Sequence, residues 1–190
     1  MEQNAKNVLR RRLIVAVGIT GVVGLVIILA ITRPWLAFID IRVDETLPSQ
    51  APVVQASAEP EDVTESPTAS PAPVPVDLAS GSFISHEHET TGTVRIVQQA
   101  DGTRVLAIEN LSTTNGPDVR VWLSASEVVE GRDGWSLAGD AEYFDLGPIK
   151  GNLGNQLYEI PADVDLSLYQ NVTLWCLPFS VSFGAAQLAS

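Results

Sequence analysis

The sequence predicts an all-β domain, an antiparallel β-sandwich of about seven or eight strands, preceded by one transmembrane helix and a disordered linker. Three observations predict this arrangement. An uncharged apolar run lies near the N-terminus, a proline-rich segment follows it, and the remaining residues form short strand-like runs separated by Gly, Asn, Asp and Pro. Short strands with turn residues between them are typical of β-sandwiches.

The first element is an apolar run of nineteen consecutive uncharged residues, 13–31. At about 1.5 Å rise per residue, a helix of this length nearly spans a hydrocarbon core of about 30 Å. A cleaved signal peptide is the alternative, but its apolar region is usually only about 7–15 residues long. No A-x-A cleavage site follows the run. We therefore expect a transmembrane helix over residues 13–31.

The charges that flank this run predict its orientation. Residues 1–12 contain Lys6 and three consecutive arginines against the single acid Glu2, whereas acidic residues outnumber basic ones in residues 32–45. By the positive-inside bias, residues 1–12 form a cytoplasmic tail and the chain continues outside the cytoplasm after the helix. We expect a single-pass protein of the cell membrane, with residues 32–45 as a juxtamembrane segment and an extracytoplasmic C-terminal domain.

The second element, residues 46–80, has the composition of a disordered linker. It contains seven prolines, no Lys or Arg and no aromatic residue. Such a segment cannot bury enough apolar surface to order itself. If it is extended at about 3.1 Å per residue, it can hold the next domain up to roughly 100 Å from the membrane.

The third element, residues 81–190, has the length and pattern of one β domain. Asp101 and Gly102 predict a hairpin turn between the strand-like runs 94–98 and 104–111. The other expected strands are residues 82–85, 119–123, 142–145, 157–160, 171–177 and 181–188. Sustained 3.6-residue periodicity is missing from this sequence, which favours a sandwich over a helical fold.

Charge and motifs exclude several classes of function. The formal net charge is −12, and no basic patch with interleaved aromatic residues offsets it, so we exclude nucleic acid as a partner. The sequence contains no G-x-S-x-G or H-E-x-x-H motif. With no hydrolase or transferase motif, any enzymatic activity is at most that of a redox or electron-transfer component. Lys150 is expected to pair with a nearby carboxylate.

Cys176, the only cysteine, is the first candidate site residue. In an oxidising compartment a lone thiol is an inert buried residue, a redox thiol or ligand, or one half of an intermolecular disulfide. Period-2 alternation in residues 171–177 places Cys176 on one apolar face with Val172 and Leu174. Burial on that face raises a thiol pKa and lowers its reactivity.

His86 and His88 are the second candidate site. If residues 86–88 are extended, both imidazoles lie on one face and, with Cys176, form a nitrogen-nitrogen-sulfur set for copper or zinc. The match to a blue-copper site is poor because the only methionine is Met1, on the other side of the expected membrane helix. The alternative is a pair of solvated loop histidines beside Glu87 and Glu89.

Four blocks of sequence, in order, carry a resemblance to a known family. They are GSF at 81–83 with HETTG at 88–92, GPDVRVWL at 116–123, LGPIKGNLGNQLYEIP at 146–161, and VTLWC at 172–176 with Phe179, Val181, Phe183 and Ala186. On these blocks the domain resembles the electron-transfer DM-thirteen domain family. With its single domain and expected membrane anchor, this chain resembles the family members found in Gram-positive actinobacteria.

The resemblance implies a β-sandwich module whose characteristic cysteine corresponds to Cys176. It also implies a redox or electron-transfer role, through a bare thiol or a bound prosthetic group such as haem. Covalent c-type haem is excluded because no C-x-x-C-H motif is present, so a haem here needs Cys176 or a histidine, such as His88, as its axial ligand. The cofactor itself stays undetermined between haem, a metal ion and none.

Two functions follow for this extracytoplasmic chain. The first is a redox or electron-transfer role centred on Cys176, with an unidentified extracytoplasmic protein as partner. The alternative is a cell-surface binding or structural module without redox chemistry, whose contact loops are residues 115–118 and 147–156.

Overall fold

The computed structural model describes residues 2–32, 39–48 and 74–189, and the side chains of residues 2–11, 13, 14 and 32 lie outside this description. The predicted linker therefore lies outside the described residues from 49 to 73. The helix α1, Glu2–Thr32, comes first. Among the described residues no helix is both long enough and apolar enough to cross a membrane. The transmembrane anchor stays a prediction of the sequence.

The chain after α1 is mostly β structure, as expected. Two short helical segments, the 3-10 turn Arg132–Gly134 and α2, Leu137–Asp140, lie between two of the strands. All eight expected strands are present, and β1 is an additional one. The strands are β1 Arg42–Asp44, β2 Val76–Ser85, β3 Thr91–Gln98, β4 Arg104–Ser112, β5 Val119–Ser124, β6 Tyr143–Pro148, β7 Leu153–Ile160, β8 Asn171–Cys176 and β9 Val181–Gln187.

The strands form one continuous sheet in the order β1-β7-β4-β3-β2-β9-β8-β5-β6, curled into a half-barrel. This corrects the expected sandwich of two separate sheets. The reason is β2, which pairs with β3 from Val76 to Ser82 and then with β9 from Phe83 to Ser85. A strand that changes partner along its length joins the two halves of the sheet. β2 also begins inside the segment whose composition predicts a linker.

The hairpin turn between β3 and β4 is confirmed. Asp101 accepts hydrogen bonds from the backbone N–H of Thr103, at 2.9 Å, and from its hydroxyl, at 2.6 Å. Gly102 has φ of 87°, a conformation that glycine adopts without steric cost. The turn sets the register of β3 against β4, from Gln98 opposite Arg104 to Thr91 opposite Ser112.

The concave side of the curled sheet encloses the apolar core. Alternate residues of neighbouring strands point into it and are almost completely buried, which is the period-2 pattern of a strand with one apolar face. The largest of these side chains are Ile96, Leu106, Ile108, Leu111, Leu123 and Leu174. Cys176 belongs to the same core.

Residues 39–48, which we call the docked segment, are part of the same unit as the sheet. β1 pairs in parallel with β7, with Val43 opposite Gly154. Asn152 fixes the start of the segment, because its side chain accepts from the N–H of Ile41 at 2.7 Å and donates to Asp40 at 2.9 Å. Glu45 pairs with Lys150 at 2.7 Å, which confirms the expected carboxylate partner of that lysine. The segment covers the β7 edge of the sheet.

Candidate functional site

Cys176 ends β8 and lies fully buried, with 0% of its surface exposed. It is paired with Val119 of β5 on one side and Val181 of β9 on the other. The alternation predicted for this strand is confirmed, since Val172, Leu174 and Cys176 all lie in the main core. The thiol is therefore enclosed by neighbouring strands in the native fold.

Burial raises the pKa of the Cys176 thiol. Backbone hydrogen bonds from Phe179 and Asp118 oppose this increase in pKa, while the carboxylates of Asp118 and Glu87 add to it. The nucleophilic form of a cysteine is the thiolate, which a neighbouring cation or helix N-terminus normally stabilises. Cys176 has acidic rather than basic neighbours, so the native fold disfavours its thiolate form.

The turn formed by residues 177–180 lies directly after Cys176 and covers the end of β8. Its first and third side chains are unusually exposed for apolar residues, Leu177 at 38% and Phe179 at 57%. The turn is closed by a backbone hydrogen bond from Ser180 to Leu177, and Ser180 adopts a positive φ of 50°. The same turn thus blocks the thiol and presents an apolar tip to solvent.

An open cleft of about 570 Å³ lies beside this turn. Pro178 lines one side of it, residues 116–119 line another, and Ile41 from the docked segment lines a third. The N–H of Leu177 donates to the carbonyl of Asp118 at 3.0 Å, which joins the turn to the 115–118 loop. Cys176 is separated from the cleft by these residues and does not line it.

His88 lies at the same end of the sheet as Cys176. Its ring packs on Phe183 with 3.9 Å between ring centroids, and its Nε2 lies 2.5 Å from the carboxylate of Glu87. Phe183 belongs to the core that contains Cys176. The structure thus places His88 near the cysteine region, with its Nε2 already paired to a carboxylate.

His86 has a different environment. Its Nδ1 lies 2.8 Å from the hydroxyl of Ser182, and its Nε2 is buried beside the backbone of Val129. β2 ends at Ser85, so residues 86–88 form a bend instead of the extended strand that the metal prediction requires. One ring contacts Ser182 and the other packs on Phe183, so the bend does not present them as a shared chelating pair.

The donor set does not fit a metal ion or a haem. The described residues contain no group of three His, Cys, Asp or Glu side chains able to hold a metal. For haem, the axial candidates are Cys176, which does not line the cleft, and His88, which is paired with Glu87. Neither the thiol of Cys176 nor Nε2 of His88 is therefore free to bind an iron in the cleft.

A second cluster of buried side chains lies on the opposite side of the same strands, covered by residues 125–142. Trp122 of β5 and Trp175 of β8 pack there with Ala138 of α2. Tyr143, at the start of β6, stacks on Trp122 with 3.6 Å between ring centroids and 8° between ring planes. This cluster was not singled out from the sequence, although the alternation that places Cys176 in the core places Trp175 on the other face.

The fold and site define a class: a single-cysteine β domain in which a curled sheet encloses one protonated thiol beneath an apolar turn. Comparison with known families shows which family has this kind of domain. The model of the family described as Electron transfer DM13 matches residues 82–188, more than half of the chain, so the chain belongs to the DM13 family. A search of curated proteins and a search of solved structures gave no match.

Proposed function

We propose that this chain is an extracytoplasmic electron-transfer protein, anchored in the cell membrane by residues 13–31, in which Cys176 is the redox-active group. Membership of the electron-transfer family over residues 82–188 is the observation that carries the proposal. Cys176 is the candidate group because it is the only cysteine and lies at one end of the sheet beneath the exposed turn 177–180. Its donor or acceptor is an unidentified extracytoplasmic protein.

The membrane position is supported by the sequence. Residues 13–31 carry no charge, and the basic residues lie on their N-terminal side. The structure does not describe the side chains of Leu13 and Ile14, which begin this run. In this orientation the whole β domain is exported.

The environment of Cys176 limits the chemistry that it performs. A protonated, enclosed thiol is a poor nucleophile, so rapid thiol-disulfide exchange in the closed fold is disfavoured. Reaction with a large partner requires that the turn 177–180 move. The exposed side chains of Leu177 and Phe179 are the natural contact for a partner that moves it, because apolar side chains bury favourably at protein interfaces.

The test is direct voltammetry of the full chain purified from membranes in detergent. We expect an oxidation wave at the potential of the thiol that is lost in Cys176→Ser, in which Cys176 gives one electron to the electrode and one proton to the solvent and becomes a thiyl radical. Thr173→Ser is the matched control, because it alters another buried residue of β8 and retains a hydroxyl for the bond to Asn171. A wave that is missing from the natural sequence, or that persists in Cys176→Ser, contradicts the proposal.

A second candidate function is a cell-surface binding module, which the cleft and the apolar turn favour. The 115–118 loop lines the cleft together with Pro148 and Ile149 of the 147–156 region, whereas residues 153–155 of that region pair with β1. Loss of surface association in Phe179→Ser, with the voltammetric result negative for the natural sequence, favours this function.

A further inference from the structure

Three aromatic rings form a continuous stack on the outer side of the sheet, opposite the main core. Tyr143 lies 3.6 Å from Trp122 between ring centroids, and Trp122 lies 5.1 Å from Trp175 with 20° between their planes. We call these three residues the aromatic stack. Orbital overlap between rings in van der Waals contact is large, so electrons pass readily between neighbouring members.

The two ends of the aromatic stack differ in exposure. Tyr143 is 45% exposed, whereas Trp122 is 2% and Trp175 is 4% exposed. Trp175 immediately precedes Cys176 in β8. Gly139 packs directly against the indole of Trp175, where a Cβ atom would lie 2.8 Å from its Cη2. The stack therefore begins at solvent and ends on the strand that carries the cysteine, closed off at its inner end.

The acidic protons of Trp122 and Tyr143 determine in which direction electrons move along the aromatic stack. An indole that loses one electron becomes a radical cation, which is trapped when its Nε1 proton passes to an acceptor. Nε1 of Trp122 is buried, and no hydrogen-bond acceptor for it is present among the described residues. Its radical cation keeps the proton and stays strongly oxidising. Tyr143 is accessible to water, which can accept the phenolic proton when the ring is oxidised.

We propose that the aromatic stack is an electron relay that moves oxidising equivalents from Trp175 through Trp122 to Tyr143. A one-electron oxidant, such as a high-potential metal complex, takes one electron from Trp175. Trp122 then donates an electron to oxidised Trp175, and Tyr143 donates an electron to oxidised Trp122. Overall, the phenol of Tyr143 loses one electron to the oxidant and one proton to water, leaving a neutral tyrosyl radical at the surface.

The relay deepens the proposed electron-transfer function and rests on it for its biological role. It draws oxidising equivalents away from the strand of Cys176 to a position where a soluble one-electron reductant can reach them. A purely structural role for the stack predicts packing but no ordered movement of a radical.

The test uses the full chain in detergent with a ruthenium polypyridyl photo-oxidant attached at Asp140→Cys, next to Gly139 and hence near Trp175. Cys176 is fully buried, so an exposed new cysteine is labelled selectively, and mass spectrometry of the intact chain checks for a single adduct. After flash oxidation with a sacrificial electron acceptor, we expect the electron paramagnetic resonance spectrum of a tyrosyl radical.

Two variants identify the radical and its route. Tyr143→Phe should reduce the tyrosyl yield at least tenfold and leave a longer-lived indole radical, whereas Tyr169→Phe, the control, should leave the yield unchanged. Trp122→Phe should reduce the yield without removing Tyr143. An unchanged tyrosyl signal in Tyr143→Phe, or an indole radical alone in the natural sequence, overturns the relay. Because the label supplies the oxidant, this result does not depend on the voltammetry of Cys176.

Discussion

His86 is a histidine that the fold holds in its neutral form. Burial lowers the pKa of its ring, and the backbone carbonyl of Val129 opposes that decrease only in part. An unfolded chain binds this proton more readily than the folded one, because a free histidine has a pKa of about 6.5. Acidification below about pH 6.5 therefore favours unfolding, until the pH falls below the folded pKa and the difference becomes constant.

We predict that replacing His86 removes this part of the pH dependence. In urea unfolding of the full chain in detergent, the natural sequence should lose stability as the pH falls below about 6.5, and His86→Asn should lose less. Asn places a polar atom close to the position of Nδ1, where it can still bond Ser182. His88→Asn, which changes the only other histidine, is the control. Equal slopes in His86→Asn and the natural sequence contradict the prediction.

The short strand β1 is held in place by contacts from distant parts of the chain. It is three residues long, and it is held by the β7 ladder, by Asn152 and by Lys150. The hydrogen bond from Lys150 to Glu45 also holds the pKa of that carboxyl below its usual value. The glycines at 151 and 154 let the backbone of the segment approach β7 closely, since a Cβ at either would collide with a carbonyl of Ile41 or Val43.

Gly151→Ala should displace residues 39–45 from the sheet. The added methyl would collide with the Ile41 carbonyl and lie 3.0 Å from a methyl of Val43, so we expect a loss of roughly 1–3 kcal/mol, typical of overpacking. Hydrogen exchange checks the location of the effect: the amides of Glu45 and Leu153, which bond across this contact, should exchange at least tenfold faster.

Two further variants are controls for Gly151→Ala. Glu45→Gln removes the charge pairing with Lys150 without adding bulk, and a partly exposed pair of this kind contributes only about 0–1 kcal/mol. Gly24→Ala in α1 adds a methyl with nothing within 4 Å and should leave both amides protected. Unchanged protection of Glu45 and Leu153 in Gly151→Ala would show that the segment is not held by this contact.

The sequence predicts those strands that are long enough to show a two-residue alternation of apolar and polar side chains. Apolar alternation and turn residues mark the strands from β3 to β9, although β7 begins at Leu153, inside the region 147–156 that was expected to be a loop. β1 has three residues and no period, and its stability comes from side chains more than a hundred positions away in sequence, such as Lys150 and Asn152. The start of β2 was missed because its surroundings are rich in proline, which is typical of linkers.

The candidate site was predicted only where its residues lie in a regular strand. Alternation within residues 171–177 correctly placed Cys176 in the core, since that strand is regular. The paired histidines required an extended segment, and the bend at residues 86–88 interrupts it. The stack of Tyr143 on Trp122 joins two strands separated by residues 125–142, and no spacing in the sequence indicates such a contact.

At the scale of the whole molecule, the docked segment 39–48 limits how far the domain lies from α1. Ile31 and Ile39 are eight residues apart, and a fully extended chain spans at most about 3.3–3.6 Å per residue. The tether is therefore shorter than about 30 Å. The extended linker predicted over residues 46–80 does not set this distance, because Pro48 on one side and β2 on the other both belong to the domain, with Pro48 bonded to Arg95.

If residues 13–31 form the membrane anchor, the full chain should remain in the membrane fraction after an alkaline wash. Val22→Arg with Val23→Arg should abolish this retention, because each charge near the centre of a membrane helix costs roughly 2.5–3.5 kcal/mol of insertion free energy. The control is the same pair of changes at Val53 and Val54. On intact cells, external protease should remove a C-terminal tag and spare an N-terminal one. Extraction of the natural sequence by the wash, or protection of the C-terminal tag, would contradict the proposed anchor or its orientation.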